Sequence, residues 1–202
     1  MDILGELHVP TTEKGNRYIL VISDYFTKWT EAIAMPNIEA KTVAEIFVTE
    51  VVTRFGIPTT LHSDQGAQFE SKLFTEMCKL LHIKKTHTNP YHPQSDGMVE
   101  FNKTLATMLS SYVNEHHKDW DEYLPFVMMP YRSVEHETTG CSHDYLILGR
   151  EVVTPIDLIL TGKNSNLVMK YKCSSQDINQ DNLQNLQVIG KCRSESSENS
   201  QT

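Results

Sequence analysis

This sequence predicts an α/β domain, a mixed five-stranded sheet flanked by helices. Three observations carry that prediction. Residues 1–35 read as an antiparallel meander, residues 40–88 alternate helix-like and strand-like periods, and a long apolar stripe at helical spacing follows.

The meander opens with a short strand at 2–7 and continues through 17–24, whose run RYILVISD is apolar enough for a buried strand, to a third strand at 31–35. Lys14-Gly15-Asn16 supplies a hairpin turn. Val43, Phe47, Val51 and Phe55 recur every fourth position, as one helix face does, and Gly56 with Pro58 stops that helix. Residues 60–63 predict a fourth strand, Phe74, Met77, Cys78 and Leu81 the stripe of a second helix, and 83–88 a fifth strand. After a loop at 89–96, Met98, Phe101, Leu105, Met108, Leu109 and Tyr112 mark a longer helix, the strongest periodic signal in the chain. Asp119 and Glu122 stand as a capping box would for a further helix carrying Trp120, Tyr123, Leu124, Val127 and Met128, which Pro125 and Pro130 must kink or end.

The 202 residues, 39% hydrophobic and 22% charged, suit one core-forming domain, expected at 1–160, and a tail. Residues 161–202 hold 18 Ser, Asn and Gln in 42 positions and one aromatic, Tyr171. So little apolar surface cannot offset the entropy of ordering, and a disordered tail is expected, with Leu183, Leu186 and Ile189 as a weak stripe. A net charge of −8 argues against a general phosphate grip, so any nucleic-acid binding must use local charge. Cys78, Cys141, Cys173 and Cys192 form no C-x-x-C pair and no zinc-site spacing, which predicts reduced, structural thiols. No apolar stretch approaches the roughly 20 residues of a membrane span, and Met1-Asp2 is no basic leader. An intracellular protein with no membrane partner and no small-molecule substrate is expected.

Three acids stand where strands and the long helix would place them: Asp2 in the first strand, Asp64 just past the fourth, and Glu100 on the long helix, with 35 residues between Asp64 and Glu100. Phosphoryl transfer between nucleic acids uses two divalent ions about 4 Å apart, which activate the attacking oxygen and stabilise the leaving one. Carboxylates for such ions must converge from separate elements. Mg²⁺ is usually held by one or two carboxylates plus water, so two or three acids suffice. Taken singly, an Asp after a strand is more often a turn or cap residue.

Leu61-His62-Ser63-Asp64-Gln65-Gly66-Ala67-Gln68-Phe69 and the run from Asn89-Pro90-Tyr91-His92-Pro93-Gln94-Ser95-Asp96-Gly97 to Met98-Val99-Glu100 resemble the two signature stretches of retroviral and gypsy-type LTR-retrotransposon integrases, at that family's D,D-35-E spacing. Asp2-Ile3-Leu4-Gly5, Gly15 to Leu20, Asp24 to Trp29, Glu137 to Gly140 and Gly149-Arg150-Glu151 resemble it as well, so the likeness covers about residues 1–160. The resemblance implies an RNase H-like core in which Asp2, Asp64 and Glu100 are catalytic and hold two Mg²⁺ or Mn²⁺ ions. It implies a polynucleotidyl transferase or endonuclease: water trims the element's DNA end, and the freed 3′-hydroxyl attacks target DNA in line. It further implies DNA contacts from Tyr91, Gln94 and Asp96, element and target DNA as partners, a homo-oligomer, and a place in the nucleus. Lys84, Lys85 and Lys103 would supply local positive charge. Asp24 reads as a turn residue, and His62 and His92, without a second ligand at metal spacing, as hydrogen-bonding groups.

Two departures from the family bear on the site. Only Met1 precedes Asp2 here, which leaves the first strand short at its start. The family reads Val-Glu-Arg-Phe-Asn-(Arg or Lys)-Thr-Leu where this chain has Val99-Glu100-Phe101-Asn102-Lys103-Thr104-Leu105, one residue fewer. At about 100° per residue, Glu100 lies about 220° from Leu105 around the helix, away from the apolar face. Packing is expected to set the helix phase and leave Glu100 the weak member of the site, with Asn102 off the face that Glu100 occupies. The alternative function is a catalytically impaired remnant that only binds nucleic acid or associates with itself.

Overall fold

The computed structural model describes residues 1–5, 11–87, 96–112 and 118–161, with backbone alone at 96–99, 156, 160 and 161. The chain divides into two compact units, residues 1–134 and 135–202.

The first unit holds the predicted strands. β1 (Asp2–Leu4), β2 (Tyr18–Ser23) and β3 (Thr30–Met35) form an antiparallel sheet in the order β1-β2-β3, with Asp2 opposite Val21 and Tyr18 opposite Met35. β4 (Thr60–Ser63) and β5 (Lys84–His87) pair in parallel, with Thr60 opposite Lys84 and Ser63 opposite His87. A parallel pair needs a crossover, and α3 (Ala67–Glu70) with α4 (Lys72–Leu80) provides it, Ser71 capping α4 by accepting from Phe74 N at 3.1 Å. The Met1 amine donates to His62 O at 2.9 Å, which brings the start of β1 beside β4.

β2 shows why helices lie on both faces. Leu20 is buried with Val43, Phe47, Phe69, Phe74 and Cys78, whereas its neighbours Ile19 and Val21 are buried with Phe101, Leu105, Leu109, Trp120 and Leu124. Alternate side chains of a strand point to opposite faces, so a run apolar throughout is a strand covered twice. One cover comes from α1 (Ala40–Ile46) and α4, the other from α5 (Asp96–Ser110) and α6 (Trp120–Ser133).

Two local expectations need correction. The helix after residue 40 is not regular: α1 passes into a π-helical segment, Phe47–Val52, before α2 (Thr53–Phe55). The wider i→i+5 turn shifts the phase, so Val43 and Phe47 are fully buried while Phe55, expected on the same face, is 44% exposed. The second concerns the start of α6, where the expected capping box is not formed; of the two outcomes expected at Pro125 and Pro130, a kink or an end, the helix does not end at either. Buried Trp120, Leu124, Val127 and Met128 hold it to the sheet past the two missing backbone donors. The Asp119 side chain does not cap it. The acids of its first turn instead bind the β1–β2 connection: Asp121 accepts from Thr12 Oγ1 at 3.0 Å and Asn16 Nδ2 at 2.7 Å, and Glu122 pairs with Lys14 at 3.0 Å.

β3 carries a buried carboxylate, Glu31, that accepts from Trp29 Nε1 at 3.0 Å and pairs with Arg54 at 3.1 Å and with Arg132. Arg132 also donates to Thr30 O through Nε and Nη2 at 3.0 and 2.9 Å and lies over the Trp29 ring. A buried charge needs such partners, and these tie α2 and α6 to β3.

In the second unit β6 (Glu135–His136) and β7 (Cys141–Ser142) form a hairpin whose turn ends at Gly140, φ 63°. Ser142 caps α7 (His143–Leu148) by accepting from Tyr145 N at 3.0 Å, and Gly149 closes that helix at φ 70°, where a side chain would strain the backbone. α8 (Pro155–Thr161) follows Thr154, whose N and Oγ1 donate to Asp157 Oδ2 at 2.8 and 2.7 Å.

Among the described residues Cys78, buried, and Cys141, half-buried, are in no disulfide; burial pushes the Cys78 thiol up. No helix among them is long and apolar enough to cross a membrane. Of the expected tail at 161–202, Thr161 ends α8, and the rest, with the stripe of Leu183, Leu186 and Ile189, lies outside the described residues.

Candidate active site

The strands bring two of the three predicted acids together. Asp2 lies on β1, half-buried, with Oδ1 accepting from Ile3 N at 2.8 Å. Asp64 follows β4 directly, exposed, with Oδ1 accepting from Gly66 N at 3.1 Å. Both lie close enough to the Met1 amine to raise its pKa, against a larger lowering by burial. Asp2 thus stands in the β1–β2 ladder and Asp64 one residue past the β4–β5 ladder.

The third predicted acid is placed differently. Glu100 is exposed on α5, and among the described residues no three His, Cys, Asp or Glu side chains gather closely enough to hold a metal ion. α5 instead sends Asn102 to the strands. Its Nδ2 donates to Asp2 Oδ2 at 2.8 Å, and the residue is only 9% exposed. Asn102 and Glu100 are two residues apart, about 160° around the axis by the shorter way, so both cannot face Asp2. Phe101, Leu105 and Leu109 are buried and hold the helix in this phase.

Measured from Glu100, two residues before it, Asn102 lies off the shared helix face. Measured instead from Leu105, three residues on, Asn102 lies about 60° from the centre of the apolar stripe, which marks it as a buried polar side chain in need of a partner.

The residues around the pair are hydrogen-bonded or ion-paired. His62 Nδ1 and Thr86 Oγ1 lie 2.9 Å apart, and burial first, then the Met1 amine and His87, hold the His62 pKa below its ordinary value. Asp24 is a turn residue, accepting from Thr27 N at 2.8 Å and Thr27 Oγ1 at 2.7 Å. Of the expected DNA-binding lysines, Lys84 and Lys103 are exposed. Lys85 has a side chain only 11% exposed, and its Nζ pairs with Glu70 at 2.6 Å; that bond chiefly holds the Glu70 carboxyl below its ordinary value. Tyr91 and Gln94 lie outside the described residues, as does His92, and Asp96 opens α5.

Mg²⁺ needs one or two carboxylates with water completing its shell. Asp2 and Asp64 are the two carboxylates here that could serve one such ion. The three-carboxylate set expected for two ions is not assembled among the described residues.

Residues 1–93 match the family described as integrase core domain. The chain is 30% identical over 168 residues, 83% of its length, to the retrovirus-related Pol polyprotein from transposon 412 of Drosophila melanogaster, and spans 12% of that polyprotein. In structure it is similar to the catalytic core domain of BIV integrase, with TM-score 0.56 and 24% identity, covering 73% of this chain and 92% of that one. It is also similar to the HTLV-2 integrase catalytic core domain solved with magnesium in a trimeric form, with TM-score 0.54 and 18% identity, covering 70% and 92%. The predicted motifs, the sheet with helices on both faces and these likenesses agree: the chain carries an integrase core domain of the retroviral and LTR-retrotransposon family, with the RNase H-like fold.

Proposed function

We propose that this core joins DNA strands by metal-dependent phosphoryl transfer, trimming the 3′ end of an element's DNA and joining it to target DNA. The observation that carries the reading is the pair Asp2 and Asp64, one on β1 and the other directly after β4, whose strands the bond from the Met1 amine to His62 O brings side by side. The magnesium bound to the HTLV-2 core supports a divalent ion here. Mg²⁺ or Mn²⁺, when bound, sharpens the attacking oxygen and offsets charge on the leaving one.

The chain's own residues hold and orient. Ile3 N donates to one oxygen of Asp2 and Asn102 Nδ2 to the other, and Gly66 N fixes one oxygen of Asp64. In the first step a water oxygen bonds to phosphorus and the P–O3′ bond on its far side breaks, leaving a 3′-hydroxyl on the element strand. In the second, that hydroxyl bonds to a target phosphorus as the target's own P–O3′ bond breaks.

DNA is gripped locally, because the chain is acidic overall. Lys84 and Lys103 project into solvent and suit phosphate contacts; Lys85 is engaged by Glu70. The chain works as a homo-oligomer, as the trimeric HTLV-2 core suggests, and in the nucleus, where target DNA lies.

The test is strand transfer by this chain with duplex oligonucleotides carrying element ends, in Mg²⁺ or Mn²⁺. Product is expected with the native chain and lost at least about 100-fold in Asp64→Asn. Undiminished product in Asp64→Asn would refute the site, and retained DNA binding without product would favour the binding-only alternative.

A further inference from the structure

We infer that Asn102, not Glu100, is the residue through which α5 completes the Asp2–Asp64 centre, so that this chain has a divalent-cation site built from two carboxylates and a positioning amide. The inference rests on the metal-dependent reading above and assigns its third member.

Three observations carry it. The first is direct: Asn102 Nδ2 donates to Asp2 Oδ2 at 2.8 Å. An amide there, with Ile3 N on the other oxygen, fixes the orientation of the Asp2 carboxylate, whose oxygens each keep a further lone pair for a cation, much as outer-shell partners orient metal ligands elsewhere. The second is that Asn102 is nine-tenths buried while its Oδ1 has no hydrogen-bond partner among the described residues. A buried amide oxygen without a donor is rare and calls for a water or cation. The third is helix phase. In the family's order, Glu three residues before Asn sits about 60° from it around the axis, on a shared side; here Glu100 stands two before Asn102, about 160° away. With Phe101, Leu105 and Leu109 buried, the helix cannot turn to bring Glu100 in without withdrawing Asn102 and exposing the stripe.

Asn102 acts through Asp2 and is therefore a positioning residue. It neither accepts nor gives a proton in the reaction. Its removal should loosen the Asp2 carboxylate, and changing it to Asp should bring a third charge beside Asp2.

The test is Mn²⁺ binding to the whole chain at neutral pH, read by the electron paramagnetic resonance signal of free Mn²⁺, without DNA. Compared with the native chain, Asp64→Asn should lose binding, Asn102→Ala should weaken it about tenfold or more, and Glu100→Gln should stay within about twofold, as an exposed charge screened by salt does. Asn102→Asp should tighten it about tenfold or more through the added ligand charge. Thermal unfolding in chelator checks that each variant folds. If Asn102→Ala fails that check, Asp64→Asn and Glu100→Gln still decide, because both side chains are exposed. Glu100→Gln weakening Mn²⁺ as much as Asp64→Asn, with Asn102→Asp no tighter than native, would overturn the assignment while leaving the metal reading intact. Native and Asp64→Asn chains binding Mn²⁺ equally would overturn both.

Discussion

Asp2 and Glu100 carry the same kind of charge and are placed by different physics. Asp2 is held by its ladder partner Val21, by Ile3 N on one oxygen and by Asn102 on the other. Glu100 depends on helix phase alone, and phase is set by what α5 buries. A residue lost from the β1–β2 connection would shift a loop and leave the register intact; a residue lost from a helix turns everything before it by about 100°. A strand-borne site is thus tolerant of changes in its connections, and a helix-borne one is not. In this chain the buried amide kept its place at Asp2, and the carboxylate is the group left outside.

The largest effect expected from that contrast is on stability. Leu105 is fully buried against Ile19 and Val21, and its packing decides which side of α5 meets the sheet. Leu105→Ala should cost about 2–5 kcal/mol, measured by urea unfolding. Met108, one turn on and half-buried, should cost less on the same change. Equal costs at the two positions would mean that α5 is not held in one phase.

Next in size is the effect of restoring the family's register. Inserting Arg after Glu100 leaves the packed half of α5 in place and turns the preceding half, bringing Glu100 from about 160° to about 60° from Asn102. Strand transfer should rise about tenfold, equivalent to roughly 1.4 kcal/mol of transition-state stabilisation. An insertion variant no better than the native chain would show that helix phase does not limit the site.

The same contrast explains how much was legible beforehand. The strand positions, the double cover of β2 and the placement of Asp2 and Asp64 followed from period-two and apolar patterning, because a sheet converts sequence spacing directly into position. The π-helical turn at 47–52 could not be read, since its every-fourth apolar pattern is also that of an ordinary helix. α6 passing through two prolines likewise depends on tertiary burial of Trp120, Leu124 and Met128, which overrides local propensity. The pairing of Lys85 with Glu70 brings together residues 15 apart in sequence that no local pattern connects.

That pairing separates lysines which are equivalent in sequence. Lys84→Ala should reduce the slope of DNA affinity against salt by about 0.9, the value for one lost phosphate contact, whereas Lys85→Ala should change it by much less. Binding titrations across salt check this. Equal slopes for the two variants would mean that Lys85 leaves Glu70 for DNA.

The smallest effect tests whether the strand side of the site needs its surface charges at all. The Glu70 carboxyl is held below its ordinary value of 4.5, chiefly by the Lys85 hydrogen bond and further by the charges of Lys85 and His87. A carboxyl with a lowered folded value stabilises the fold fully above its ordinary value, and that stability disappears as pH falls through the lowered one. Urea midpoints of the native chain and Glu70→Gln should therefore differ by a constant small amount from neutral pH down to about 4.5 and converge below it. Because the group is exposed, the difference should also shrink as salt is raised. Mn²⁺ affinity should remain at the native value, because Asp64 is positioned by the β4–β5 ladder and Gly66 N rather than by Glu70. A gap that persists below the titration range would assign Glu70 a packing role instead of an electrostatic one. A loss of Mn²⁺ affinity in Glu70→Gln would show that the ladder does not fix Asp64 alone, and would remove the distinction between strand-borne and helix-borne acids on which the other predictions turn.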